Sequence, residues 1–389
     1  MTEVAITGIG VVSALGHGVE PFWRGLLAGG SGLRPIRRFA TPGGPALGGE
    51  VPALAPRTFV RTAIGRRIDW VSLMALAACR MALTDAGLEP AGLVPERTGL
   101  ALGSAFGNLQ ETATFLDRLF ARGAGNPLLF PNLVFNAPLS YASIELGITG
   151  PTTMVSAQEA SGEAAIGWAA DLIADQAADV CLAGGTDELG AVLHEVLYEG
   201  GRLARGVPRP LDRSADGVCP GEGAAVLVLE RLAAARARGA RVYARLVPRP
   251  GFAVPSPVHD WPHDARPLGQ ALASLIADAD VVFAAASGRP ELDAVEADAL
   301  ARALDGRPAA VTAVRGALGD FGAAGALATA AAACAVASGV LPPTLGIALP
   351  ARAALDVVAG SARRVPVRTA LVDALARGGL CRPLRLEAA

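Results

Sequence analysis

The chain is short of the side chains that most protein chemistry relies on. Its 389 residues include four histidines and five cysteines. Cys79, Cys181, Cys219, Cys334 and Cys381 lie far apart, and no Cys-x-x-Cys pair occurs. With His17, His194, His259 and His263 equally scattered, they form neither a zinc framework nor a disulfide pattern. The cysteines therefore read as reduced and structural, and no metal is expected. Charge is scarce as well. Only 18% of residues are charged and the formal net charge is −2, which gives no reason to expect nucleic acid or an acidic membrane as partner. Met1-Thr2-Glu3 lacks a positive n-region and leads into a strand, so the expectation is no signal peptide and a cytoplasmic protein. One long apolar run exists, residues 322–341, but it is mainly alanine and Pro342-Pro343 ends it. It is expected to be a buried core helix rather than a membrane span. Gly8-x-Gly10 lacks the third glycine and the acid of a dinucleotide loop, so no cofactor is implied. Ser161, in Ala-Ser-Gly, is not a Gly-x-Ser-x-Gly elbow and is expected to serve in packing.

What the chain does have is apolar bulk in an alternating pattern. Apolar residues make up 52% and the mean hydropathy is positive, which suits a large core and a sizeable subunit interface. Strand-like runs (residues 4–13, 100–103, 179–183 and 224–230) alternate with alanine-rich helical stretches, which argues an α/β architecture. Gly184-Gly185-Thr186-Asp187 is expected to be a turn, and residues 232–238 a basic helix. Pro248, Pro250, Pro255, Pro257, Pro262 and Pro267 make residues 248–267 largely loop. That tract separates two halves, expected as 1–247 and 248–389. Asp293, Glu296 and Asp298 read as the solvated acidic start of a helix.

The most informative stretch is residues 150–162, Gly-Pro-Thr-Thr-Met-Val-Ser-Ala-Gln-Glu-Ala-Ser-Gly. It predicts a short strand turning sharply through small residues into a helix. A helix N-terminus favours negative charge and would acidify a thiol placed there. No thiol is present; the turn offers Gln158 and Glu159.

This segment resembles the β-ketoacyl synthases of the thiolase superfamily, whose pattern is Gly-Pro, a short strand, Ala-Cys, then Ser-Gly. An ungapped count from Gly150-Pro151 puts Glu159 at the family's cysteine. Residues 4–13, Pro208-Arg209-Pro210-Leu211-Asp212, Asp216-Gly217 and Gly221-Glu222-Gly223-Ala224 extend the resemblance over nearly the whole chain. It implies an α/β thiolase-like fold: duplicated βαβαβαββ halves in a layered αβαβα arrangement. Active members add two histidines to the cysteine. The first lies in Asn-Ala-His-Gly, where this chain has Ala285-Ala286-Ser287-Gly288, so Ser287 takes its place. The second precedes Gly-Ala-Ala-Gly, present as residues 322–325, with a lysine five residues before it. An ungapped count places Gly319 and Val314 at the histidine and lysine; a one-residue gap places Asp320 and Arg315 there. Neither count supplies a histidine.

The family's closing Gly-Phe-Gly-Gly turn, whose phenylalanine gates the acyl tunnel, is Ala376-Arg377-Gly378-Gly379 here. Arg377 and Pro220-Gly221-Glu222-Gly223 resemble the chain length factor, the non-condensing partner subunit of bacterial type II polyketide synthases. Chain length factors usually carry glutamine for the cysteine, which leaves Gln158 and Glu159 as alternatives. The resemblance implies a catalytically silent subunit that pairs with an active ketosynthase, meets acyl carrier protein mainly through that partner, and helps set chain length. Thr112, Phe115, Leu116 and Leu119, in a stretch that reads otherwise as an ordinary core helix, and Phe135 with Phe130 and Tyr141 are the implied tunnel and interface residues. Two other readings stand beside it. One is a homodimeric thioester decarboxylase or hydrolase using Glu159; the other is a purely structural partner.

Overall fold

The computed structural model describes residues 2–63, 67–247 and 249–389. Pro248, the first proline of the expected loop tract, lies outside them, as does Met1. The strands that matter for the site are β1 (Val4–Ser13), β2 (Thr98–Gly103), β3 (Thr152–Val155), β4 (Val180–Asp187), β5 (Gly223–Arg231), β6 (Ala244–Val247), β7 (Val281–Phe283), β8 (Ala310–Thr312), β9 (Asp356–Val357), β10 (Thr369–Val372) and β11 (Leu384–Glu387). They form one mixed sheet in the order β9-β8-β7-β10-β11-β6-β1-β5-β4-β2-β3.

The order contains the same unit twice. In the first half β2 lies parallel to β3 and β4, β4 antiparallel to β5, and β5 antiparallel to β1. In the second half β7 lies parallel to β8 and β10, β10 antiparallel to β11, and β11 antiparallel to β6. The two units meet back to back where β1 pairs antiparallel with β6. By pairing, β6 joins the second unit.

Helices of ten residues or more are α1 (Trp70–Asp85), α2 (Leu109–Arg122), α3 (Ala137–Leu146), α4 (Ser161–Ala174), α5 (Pro290–Leu304) and α6 (Ala324–Ser338). Layering follows from the two-residue side-chain period of strands covered on both faces. In β5, Val226 and Val228 join α1 in one apolar cluster, while Ala225, Leu227 and Leu229 join α4 and α6 in another. A third cluster packs α5 against Val282, Val311 and Leu371. Helices α4 and α6 thus form the central layer, where alanine lets backbones approach. A Cβ on Gly162 of α4 would stand 3.0 Å from the Ala326 methyl of α6. The apolar run at 322–341 is this buried α6, as expected, and no helix among the described residues is long and apolar enough to cross a membrane.

Two local expectations are corrected. Residues 184–187 continue β4 rather than turning, because glycine there serves close approach: a Cβ on Gly184 would be 1.8 Å from the Ala225 carbonyl oxygen. Asp293 and Glu296 are not a solvated cap but are wholly buried. Asp293 accepts from the backbone N–H groups of Leu211, Ser287 and Gly288, and Glu296 accepts from that of Ala285. The nearby strand end needs those acceptors, and both carboxyls are raised by burial, Asp293 to about 7.

Candidate functional site

The turn between β3 and α4 is bent as its sequence predicts. Gln158 sits at φ +52°, a left-handed conformation that costs a residue with a Cβ roughly 1–2 kcal/mol. Ser161 holds it there: its hydroxyl donates to the Gln158 carbonyl (2.6 Å) and accepts from the Ala157 N–H (3.0 Å). Ser161 is buried, but it clamps the turn rather than merely filling space. The bend exposes Gln158 and turns Glu159 inward.

Glu159 meets Arg377 twice. One carboxylate oxygen accepts from Nε of Arg377 at 2.8 Å and the other from its backbone N–H at 3.2 Å. Gln158 lies 3.5 Å from the same guanidinium. On its other side, the Glu159 carbonyl lies 3.5 Å from Nη2 of Arg315, a completely buried arginine. Arg315 faces Glu163 and Asp320, each at 3.7 Å, and Asp320 accepts from Arg289 at 3.2 Å. The chain contains no lysine, so every cation at this corner is a guanidinium. Burial pushes the Glu163 carboxyl up to about 7, against the opposing pull of Arg315. Behind it the buried carboxyls of Glu296 and Asp373 lie side by side, and desolvation first, then mutual repulsion, raises Glu296 well above the usual range.

The one-residue gap is the count that puts charged side chains here, through Arg315 and Asp320. Gly319 contributes backbone only, at φ +94° and against Gly221. Ser287 is buried, but its hydroxyl has no partner among the described residues and it makes no bond to the 158/159 corner. Among the described residues, none of the hydrogen bonds or ion pairs of Gln158 and Glu159 involves a histidine. His194 is buried against Phe39, His17 contacts the Pro52 carbonyl, and His263 pairs with Asp260 at the surface.

Sequence reasoning missed Glu163, Arg289 and Asp373. The available signal was a lone carboxylate, four residues beyond Glu159, in an otherwise small and apolar helix start. What it does is visible in Gly325, where a Cβ would stand 1.6 Å from a Glu163 oxygen. Surface cavities of 560–620 Å³ lie around Arg61 and Arg80, around Trp70 and Glu188, and elsewhere. None of these is lined by Glu159, Asp320 or Arg377.

The expected tunnel residues form a separate group. Helix α2 is not a core helix: it has no buried residue. Thr112 and Leu119 are half-buried, Leu116 is exposed, and Phe115 packs edge-on against Phe130 with ring centres 6.5 Å apart. Phe120 on this helix and Leu128, Phe130, Val134, Phe135 and Ile144 in the segments that follow it are exposed apolar side chains. Tyr141 belongs to the interior instead, its hydroxyl donating to Asn132 at 2.7 Å. Among the described residues β3 pairs only with β2, so the sheet ends there in an open edge.

Comparison with known proteins places this arrangement. Residues 1–235 match the β-ketoacyl synthase N-terminal domain and residues 262–348 its C-terminal domain. The chain is 33% identical to the tetracenomycin polyketide synthase ketoacyl synthase alpha subunit of Streptomyces glaucescens, over 97% of this chain and 95% of that one. It is 32% identical to the beta subunit from the same organism, over 97% and 96%. Its structure is similar to that of the ishigamide ketosynthase/chain length factor, with a TM-score of 0.93 at 29% identity, over 100% of this chain and 99% of that one. Similarity to alpha and beta subunits is nearly equal, so the residues at the corner must discriminate.

Proposed function

The chain belongs to the β-ketoacyl synthase family, and we propose that it is a non-condensing subunit that completes a pair with an active ketosynthase during carrier-protein-bound chain elongation. One observation carries this reading: the nucleophile turn presents a carboxylate tied to Arg377, with no thiol or imidazole bonded to it among the described residues. A carboxylate is a poor acceptor for a thioester acyl group, and nothing nearby matches a decarboxylating or oxyanion-stabilising histidine pair. Glu159 engaged by two donors of Arg377 is also a poor general base, which weighs against a hydrolase or decarboxylase.

The partner is supported by what the single chain leaves uncovered. An open, half-buried sheet edge at β3 is a liability that proteins normally pair or cover. The exposed apolar set on α2 and in the segments that follow it is of the kind that marks an interface. The proposed partner continues the sheet across β3 and covers the apolar set on α2. Helix α2 would then stand between the two subunits, where Thr112, Phe115, Leu116 and Leu119 wall the growing chain and limit its length.

The test is reconstitution. The chain purified alone condenses nothing from acyl and malonyl carrier protein, while co-expression with a ketosynthase that has its cysteine and both histidines yields a one-to-one complex that elongates. Condensation by the lone chain, or an acyl adduct on residue 158 or 159, defeats the proposal.

A further inference from the structure

The replacements at the corner do more than remove chemistry. Resting on the reading above, we infer that the Glu159–Arg377 pair is a closure that keeps a carrier's thioester arm out of this subunit, so that these two residues make the pair asymmetric. The geometry is that of a bolted cover. The Glu159 side chain is 10% exposed and that of Arg377 34%, so the pair sits where the surface meets the interior. Beneath it lie Arg315, Glu163 and Asp320, which are almost wholly buried. Both Glu163 oxygens, Arg315 Nε and one Asp320 oxygen have no hydrogen-bond partner among the described residues.

The cover is tied down on every side. Glu159 is held from within through its carbonyl by Arg315 and from without through its carboxylate by Arg377. The turn that carries Arg377 is stitched to the loop before it: Gly378 N–H donates to the Asp260 carbonyl, and Val254 N–H to the Gly379 carbonyl. Gly378 and Gly379 have φ of +79° and +78°, and a Cβ on Gly379 would stand 2.1 Å from the Val254 oxygen, so the turn has little room to shift. A charge-assisted contact with two donors is stronger than a neutral one. A thioester arm is uncharged along its inner length and offers no ion to replace the one it would displace. Separating the pair for such a ligand leaves a nearly buried carboxylate unmatched, which is costly.

The closure is testable on the full-length chain with hexanoyl-pantetheine thioester as the probe. Hydrogen exchange over residues 374–381 and ligand-observed NMR binding are measured for wild type, Glu159→Gln and Arg377→Gln. In wild type the turn is protected and the thioester does not bind. In either variant, exchange in the turn rises about tenfold or more while β4 is unchanged, and binding becomes detectable. Arg377, the more exposed partner, carries the test should Glu159→Gln fail to fold. Binding to wild type as tight as to the variants, or unchanged exchange in the variants, overturns the closure. Condensation measured on the same samples separates the two ideas: activity of the lone wild-type chain defeats the silent-subunit reading, whereas thioester binding to wild type without activity defeats only the closure.

Discussion

Phe120 provides a sharp test of where a partner subunit sits. Its side chain is 82% exposed on α2, close in sequence to Phe130 at 60%. Fully burying a phenylalanine contributes roughly 1.5–3 kcal/mol. Scaled by the exposed fraction, a partner that covers Phe120 gains about 1.2–2.5 kcal/mol, which Phe120→Ala forfeits. That corresponds to a dissociation constant about 8- to 70-fold weaker, readable by calorimetry or by analytical ultracentrifugation of the reconstituted pair. The isolated chain, in which Phe120 is already in water, should unfold within about 0.5 kcal/mol of wild type. Phe115→Ala is the contrast. Phe115 packs on Phe130, and a Cβ on Gly125 would stand 2.3 Å from its ring, so its loss destabilises the chain itself. An unchanged dissociation constant for Phe120→Ala, or a substantially destabilised isolated chain, refutes the placement of the interface on this helix.

Two further outcomes concern the buried charges. Glu163 titrates near 7 in the folded chain, above its unfolded value, because burial disfavours its charge. An acid raised in this way binds its proton more tightly in the folded state, so stability is greatest below the unfolded pKa and falls as pH rises toward 7. Glu163→Gln should therefore flatten the decline in thermal stability between about pH 5 and 8, with a gain at pH 8 of up to about 3 kcal/mol over wild type; an unaltered pH profile counts against a buried ionising Glu163. Gly325→Ala should unfold or fail to accumulate, since its methyl would collide with the Glu163 carboxyl, and Glu163→Ala added to it should restore most of the loss. Strictly additive effects in that double-mutant cycle would show that the two do not touch.

Much of this protein can be read without coordinates, and the reason is local. The continuous apolar run of β5, the alanine run of α6 and the bend at 157–160 each state their own conformation within a few residues. The absence of a thiol at the turn is likewise a fact of the chain itself. Where sequence reasoning erred, longer-range packing decided. Gly184-Gly185 looks like a turn, yet the neighbouring strand comes so close that only glycine fits. Asp293 and Glu296 look like a solvated helix start, yet the strand end beside them needs acceptors for its backbone N–H groups. Helix α2 could be read as core or as an interface from its spacing alone, and packing leaves none of its residues buried.

The order of residues alone settled the family resemblance, the missing thiol and imidazoles, and the central buried helix, because each depends on residue identity or on short-period patterning. Tertiary structure decided that Arg315 and Asp320 meet at the corner, that Glu159 is held by a residue 218 positions away, and that a sheet edge and an apolar helix are each left uncovered in the single chain. Those depend on contacts between distant segments, and no local pattern encodes the distance between two charges that meet only when the sheet closes around them.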